Sequence, residues 1–339
     1  TLNLAKKYKR AVKIYESILK EDEQFFPAIY NCGLIYLNQR INIKSAITLL
    51  EKSLIIQPNN IELLLSLAAA YEEVYRFKDA INLIEKAKLL NQKDPRVYYQ
   101  LGCLYTHSNK LDLSIKNLNK CLELKPDYHM ANYVKSNILL QQGKFNEGFE
   151  LYKYRIYNQN ILIRTDDSEV SELNKEDYLL IYYEQGIGDI ILYSRFFDAV
   201  AEKVKKVTIL IPGKLKDFFS FNFKDIEFKM ESEFKADEYV KYKKINLATI
   251  PRLLKNVDSI VNSPRIMKSN LKNKESEIKS QFSDFKLCGI AWKSNNAKVG
   301  DHKSIQLDEF IDNIFYDTKY KLINLQYGDV QEEIKKQKI

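Results

Sequence analysis

Small residues return along the first half of the chain at one interval. Ala11, Ala46, Ala80, Ser114 and Gly148 are separated by 35, 34, 34 and 34 residues, and Gly33, Ala68, Gly102 and Ser136 by 35, 34 and 34. Tyr36, Tyr71, Tyr105 and Leu139 follow the second series at a constant three residues. The apolar segments Ala28–Tyr36 and Val97–Tyr105 read as first helices, and Asp79–Ala87 as a second helix, so each unit predicts a helix pair. Small residues mark where the two backbones approach, and Pro58 and Pro126 close their units where a helix must stop. The unit from 26 to 59 has one extra residue near Ile41–Ile43, expected in the turn between its helices. After Arg155 the period is lost. Residues 156 to 177 are polar, as in a linker, and Tyr178–Tyr183 is an apolar run of strand length. A helical stretch from Ile190 to Val204 and a strand at Lys206–Ile211 complete a predicted βαβ unit.

The 34-residue period resembles tetratricopeptide repeats, whose unit is a pair of antiparallel helices. The reading gives a half repeat plus four units over residues 1–155. Its N-terminal apolar face is expected to be covered by a neighbouring helix. The resemblance implies a concave groove lined by first helices, usually a peptide-binding surface. At the groove position that the family often fills with Asn stand Asn31, Ser66, Gln100 and Val134. Polar groups able to hold a peptide backbone therefore run over three units and stop; read plainly, the same residues are simply exposed on their helices.

Composition narrows the class. Hydrophobic residues make up 45% of the 339 and Tyr and Phe number 23 and 17, too much apolar matter for a disordered chain. Gly at 10 and Pro at 7 are few, which favours long regular elements. The net charge of +8 is unevenly placed: residues 1–160 hold 23 basic against 16 acidic side chains, and the remainder 30 against 29. A modest excess in Lys-rich sequence reads as a solvated surface, so no nucleic acid is expected as a partner. Cys32, Cys103, Cys121 and Cys288 lack C-x-x-C spacing and read as reduced core residues. No apolar window reaches 18 residues, so membrane insertion is not expected and a cytoplasmic protein is. His107 and His129 lack partners at ligand spacing, so no metal site is predicted.

The chemistry lies after the first strand, in Glu184-Gln185-Gly186-Ile187-Gly188-Asp189. A turn at that place in an open parallel sheet is where ligands bind. The glycines lack the third small residue of a dinucleotide fingerprint, and the second strand ends in Pro212 where an acidic residue would hold the ribose. No G-K-[ST] follows, so a P-loop is absent. What remains is a carboxylate, Asp189, at a helix start beside two glycines. It is suited to act as a base at neutral pH, although Asp there is also an ordinary helix cap.

Four elements in order resemble bacterial proteins that join tetratricopeptide repeats to a glycosyltransferase-like domain. They are Gly143-Lys-Phe-Asn-Glu-Gly148-Phe-Glu-Leu-Tyr152-Lys-Tyr-Arg155; Glu184 to Asp189 with Arg195-Phe; Gly289-Ile-Ala-Trp292-Lys-Ser-Asn295; and Lys303-Ser304-Ile305 with Asn324-Leu-Gln326-Tyr-Gly-Asp329. The family is similar to heptosyltransferase-like and O-linked N-acetylglucosaminyltransferase-like enzymes. The resemblance implies a GT-B fold of two Rossmann-like halves, 178–285 and a second that starts at 286 and is incomplete at 339. It implies a nucleotide-sugar donor as co-substrate and no cofactor. Asp189 matches the proposed base, and Glu184, Gln185, Gly186, Gly188 and Arg195 the substrate-binding turn. Trp292, Lys293, Ser294, Asn295, Lys303, Ser304 and Gln326 fall on the donor side. Two roles suit Arg195, holding an acidic acceptor group or bracing the Glu184 turn. Trp292 suits either stacking on a sugar or base, or a place in the core. The expected function is sugar transfer to an acceptor hydroxyl, with the repeats holding a protein partner or the acceptor. The alternative is a non-catalytic binding scaffold with a degenerate α/β part.

Overall fold

A computed structural model of the chain describes residues 2–158, 165, 170–184, 186–254, 256–263, 267, 280, 281, 283, 286–290 and 320–324. It divides into two compact units, Thr1–Ile266 and Met267–Ile339.

The first unit opens with helices α1 (Leu2–Glu21), α2 (Phe26–Asn38), α3 (Ile43–Ile56), α4 (Ile61–Glu73), α5 (Phe77–Leu90), α6 (Pro95–His107), α7 (Leu111–Leu124), α8 (His129–Gln141) and α9 (Phe145–Tyr152). Side chains start several of them. Asn42 Oδ1 accepts from the Ser45 N–H at 3.0 Å, Asn60 Oδ1 from Leu63 N–H at 3.2 Å, and Asp94 Oδ1 from Arg96 N–H at 3.0 Å. The small-residue series is explained by contact. A Cβ built on Gly102 would lie 2.6 Å from Leu118 Cδ2, and one on Gly148 2.7 Å from Leu140 Cδ2, so the helix pairs cannot close around a larger residue without shifting. Ser114 sits at the same crossing and donates to the Gly102 carbonyl at 2.7 Å. The turns repeat as faithfully as the helices. Arg40, Tyr75, Asn109 and Gly143 all have φ between +50° and +76°, at intervals of 35, 34 and 34 residues. The extra residue of the second unit lies in the turn between α2 and α3, which spans residues 39–42, whereas the corresponding turns span 74–76, 108–110 and 142–144.

Beyond a 3₁₀ turn at Lys153–Tyr157 the chain builds a parallel sheet from β1 (Tyr178–Tyr182), β2 (Lys206–Leu210), β3 (Ile226–Lys229) and β4 (Lys243–Asn246), in the order β3-β2-β1-β4. Leu179, Leu180 and Ile181 of the central strand are fully buried, which is why that run reads as continuously apolar: a parallel strand is covered on both faces. Phe197, Phe219, Phe223 and Phe228 form an aromatic cluster with ring centroids 5.3–6.2 Å apart. The helix expected over Ile190–Val204 is broken into α10 (Ile187–Tyr193), a 3₁₀ turn at Ser194–Phe196 and α11 (Phe197–Ala201). Helices α12 (Gly213–Asn222), α13 (Ile250–Leu253) and α14 (Val257–Asn262) complete the unit.

The polar segment before β1 is tied to the edge strand at its described residues. Asn246, fully buried, donates from Nδ2 to the Thr165 carbonyl at 2.6 Å, and Lys243 Nζ donates to the Glu172 carbonyl at 3.3 Å. Arg252 donates to the Val170 carbonyl at 2.7 Å. Side chains of β4 and of α13 thus anchor the described part of the segment.

In the second unit β5 (Lys286–Ile290) and β6 (Tyr320–Asn324) pair in parallel. The architecture is therefore a helical repeat solenoid followed by a parallel four-stranded sheet.

Candidate functional site

The strand order locates the site. The chain runs outward from β1 to β2 and β3, then crosses to β4 on the other side of β1. The switch point thus falls between β1 and β4, at whose carboxyl ends open α/β sheets usually hold ligands. The Glu184–Asp189 turn leaves β1 at this point.

Glu184 is turned inward. Its side chain is 1% exposed and meets that of Arg155, 2% exposed, through Arg155 Nη2 to Oε1 at 3.0 Å and Arg155 Nε to Oε2 at 3.1 Å. Oε1 also accepts from the Ala248 N–H at 2.8 Å, and Arg155 Nη2 donates to Thr249 Oγ1 at 2.8 Å. One buried, bidentate pair therefore joins the last repeat, the end of β1 and the segment after β4. The bracing residue is Arg155, and Glu184 has a structural place where a substrate contact was expected. Arg195 takes neither expected role through its Nε, which donates at 3.1 Å to the Leu192 carbonyl of the preceding helix α10.

Asp189 is half-buried and stands three residues inside α10, not at its cap position; its Oδ2 reaches back to accept from the N–H of Gly186, the N-cap, at 3.0 Å. Among the described residues Oδ1 has no hydrogen-bond partner. The two glycines are not demanded by the local fold. Neither has a positive φ, a Cβ on Gly186 would make only an ordinary 3.7 Å contact with Asp189, and one on Gly188 would meet nothing within 4 Å. Among the described residues the turn is thus open beside Gly188.

The turn adjoins a cleft of about 290 Å³ between the repeats and the sheet. Asn137 and Leu140 of α8 and Phe145 and Phe149 of α9 form one wall, and Asp189, Leu192 and Arg195 are on the other. Phe149 also packs edge-on against Phe196, with centroids 6.0 Å apart, and Asn146 donates to Asp258 of α14, so side chains knit the two walls together. Sequence reasoning missed the contribution of the last repeat to this wall. The only signal was the aromatic-rich segment ending in Arg155.

Of the groove positions, Ser66 Oγ donates to the Glu62 carbonyl of its own helix at 2.7 Å. Gln100 Nε2 donates across to the Leu65 carbonyl of α4 at 3.4 Å, while its Oε1 is buried without a described partner. Asn31 is half-buried. Gln185, Trp292, Lys293, Ser294, Asn295, Lys303, Ser304 and Gln326 lie outside the described residues. No cluster of three or more metal-ligating side chains occurs among the described residues. No described helix is long and apolar enough to cross a membrane.

The first helices are also linked by charge. His107 Nδ1 of α6 lies 2.7 Å from Glu72 Oε1 of α4. That hydrogen bond holds the imidazole above its ordinary range, against the opposing effect of burial. A raised folded value stabilises the array fully below the unfolded pKa of about 6.5, and the contribution is lost as pH rises through the folded value. Because His107 is 56% exposed, screening confines the gain to the 0–1 kcal/mol of surface pairs. The thermal midpoint should therefore fall slightly more between pH 5.5 and 8.5 than it does for His107→Gln. Equal falls in the two proteins would remove the pair from the account.

Residues 42–101 and 95–128 match the tetratricopeptide repeat family. Human tetratricopeptide repeat protein 13 is 25% identical over 150 residues, 43% of this chain and 17% of its own length. DnaJ homolog subfamily C member 3 of Gallus gallus is 29% identical over 91 residues, 27% of this chain and 18% of its own. The chain thus spans less than a fifth of either relative. Among solved structures, the crystal structure of MamA is 21% identical, with a TM-score of 0.40, covering 47% of this chain and 92% of that one. The helix pairs, their turns and the family match agree over residues 42–128, which form tetratricopeptide repeats within the helical solenoid.

Proposed function

We propose that the chain is part of a glycosyltransferase that modifies a hydroxyl group of a polypeptide held by the repeats. The observation that carries this reading is the position of Asp189, at the switch point of the parallel sheet and on the wall of a cleft whose other wall is the last repeat. Asp189 Oδ1 takes the proton of the acceptor hydroxyl as its oxygen attacks the anomeric carbon of a nucleotide-sugar. The bond from that carbon to the diphosphate breaks, and the nucleoside diphosphate leaves with the electron pair. Basic groups offset the charge of the leaving group, and by the four-element resemblance the candidates for them are Lys293 and Lys303. Gly186 and Gly188 leave room for the acceptor, Gln185 lies in the same turn, and Arg155 and Glu184 hold the turn in place.

A second reading is a binding scaffold in which the sheet only assembles. The cap bond from Gly186 to Asp189 favours it, since that bond explains the carboxylate without catalysis. Incubating the protein with radiolabelled nucleotide-sugars and a lysate of acceptor proteins separates the two. Label transferred to a protein band supports the enzyme, and no transfer from any donor supports the scaffold.

A further inference from the structure

The basic excess of the first half has a definite place on the fold. In the second helix of each pair, α1, α3, α5 and α7, four positions spaced i, i+4, i+8 and i+11 fall within about 80° of arc at 3.6 residues per turn. They lie opposite the buried positions, which in α3 are Ala46, Leu50 and Ser53. Carried along the repeat, the first position is Lys9, Lys44, Lys78 and Asp112, and the third is Ser17, Lys52, Lys86 and Lys120. The second holds Lys13 and Lys116 with Thr48 and Asn82 between them, and the fourth is Lys20, Ile55, Leu89 and Glu123. All but Lys86 and Lys120 are exposed. Nine lysines thus stand with two carboxylates. That difference is the whole excess of residues 1–160, where 23 basic side chains meet 16 acidic ones, so the rest of the segment is balanced.

Few of these charges are spent on neighbours. Lys44, Lys52, Lys78 and Lys116 make no ion pair among the described residues. The carboxylates beside the face are already engaged. Glu16 and Glu51 accept from the hydroxyls of Tyr36 and Tyr71, Asp79 pairs with Arg76, and Glu85 with Lys88. Ile55 and Leu89, one turn beyond Lys52 and Lys86, are 82% and 79% exposed, more than any other large apolar side chain among the described residues. Ile56 and Leu90 next to them are exposed as well. Two projecting aliphatic points therefore stand in a field of free ammonium groups.

We infer that this outer face of α1, α3, α5 and α7 docks on an anionic lipid bilayer, with Ile55 and Leu89 entering the boundary between headgroups and acyl chains. Charge selects an anionic partner, and composition selects the bilayer among anionic partners. Protein interfaces are poor in Lys and rich in aromatic residues and Arg, and none of the sixteen positions is either. Single-stranded nucleic acid is gripped by aromatic stacking as well as charge, and it would leave the two aliphatic side chains without a counterpart. A bilayer accommodates both features. Lysine stems lie along apolar surface while their ammonium groups stay among the headgroups, and aliphatic side chains enter the boundary without any spanning helix. The inference stands apart from the transferase reading.

Co-sedimentation of the whole chain with vesicles tests it. Vesicles of roughly three parts phosphatidylcholine to one of phosphatidylglycerol should bind the protein at least about tenfold more strongly than phosphatidylcholine alone, and added salt should weaken that binding. The triple variant Lys44→Gln, Lys52→Gln and Lys78→Gln should lower partitioning by roughly 10², whereas Lys203→Gln, Lys224→Gln and Lys235→Gln, exposed lysines of the sheet region, should leave it unchanged. Ile55→Ser with Leu89→Ser should lower it about tenfold or more while the salt dependence persists. Circular dichroism and the thermal midpoint establish that each variant folds. Equal binding to neutral vesicles, or none to either kind, would overturn the inference. So would equal losses in the two lysine variants, or wild-type binding by the folded serine variant. Capture of polyglutamate or of a single-stranded oligonucleotide in preference to the anionic vesicles would overturn it in favour of an acidic protein or a nucleic acid.

Discussion

Arg155→Met should loosen the end of β1 and its junction with the last repeat by about 3–5 kcal/mol, the usual consequence of leaving one member of a buried ion pair unpaired. The magnitude follows from burial. Glu184 is 1% exposed, and in the variant it would keep only the Ala248 N–H as a described donor. An exposed pair such as Lys120–Glu123, by contrast, belongs in the 0–1 kcal/mol range. Hydrogen exchange measured by mass spectrometry over residues 178–184 reads the effect locally, and protection there should fall by a factor of about 10² to 10³ or more. The double substitution Arg155→Met with Glu184→Leu should recover much of that loss, because a matched apolar pair needs no counter-charge. It should not recover all of it, since the Ala248 N–H loses its acceptor and the Arg155–Thr249 bond is gone. If the single variant keeps wild-type protection, the pair does not hold the turn.

Much of the first half was legible from sequence because its physics is local. Helix pairs need small residues where they cross, and those residues recur in register with the structure at Gly102 and Gly148. The turn residues with positive φ were not legible. Arg40 and Tyr75 carry no sequence mark of a left-handed conformation, and only Asn109 and Gly143 belong to the types that favour it. In the sheet, β1 and β2 stood out because central parallel strands are apolar throughout. The edge strands β3 and β4 are four residues each and include Glu227, Lys229, Lys243 and Lys244, so neither forms an apolar run. The broken helix after the glycine turn was read as continuous, because periodicity cannot distinguish an α-helix from an α-helix interrupted by one 3₁₀ turn.

The candidate site was legible in part. Asp189 and its glycines lie where a strand end and a helix start were expected. The partner of Glu184 was not foreseen: Arg155 lies 29 residues earlier, across the polar segment, and only the folded chain brings the two together. The polar segment shows the limit of composition as a guide. Its carbonyls at Thr165, Glu172 and Val170 accept from Asn246, Lys243 and Arg252, contacts that its composition does not announce.

The second large effect concerns Asp189. If it is the base, Asp189→Asn should keep the cap, because the amide oxygen still accepts from the Gly186 N–H, while removing the group that takes the proton. Turnover should then fall by roughly 10² to 10⁴, the range of general-base catalysis, with the fold and peptide binding unchanged. Asp189→Ala removes cap and base together, and losing the cap costs about 0.5–2 kcal/mol of local stability. Comparing the two substitutions separates a structural carboxylate from a chemical one. A cap alone predicts that Asn behaves as wild type and that only Ala is affected.

The decisive measurement is the rate at which the protein transfers labelled sugar to a repeat-bound acceptor, for wild type and Asp189→Asn side by side at matched peptide occupancy. A fall of at least a hundredfold in the Asn variant, with unaltered circular dichroism and peptide retention, is the predicted result. Equal rates in the two proteins would contradict the assignment of Asp189 as the base and leave the cleft a binding site alone.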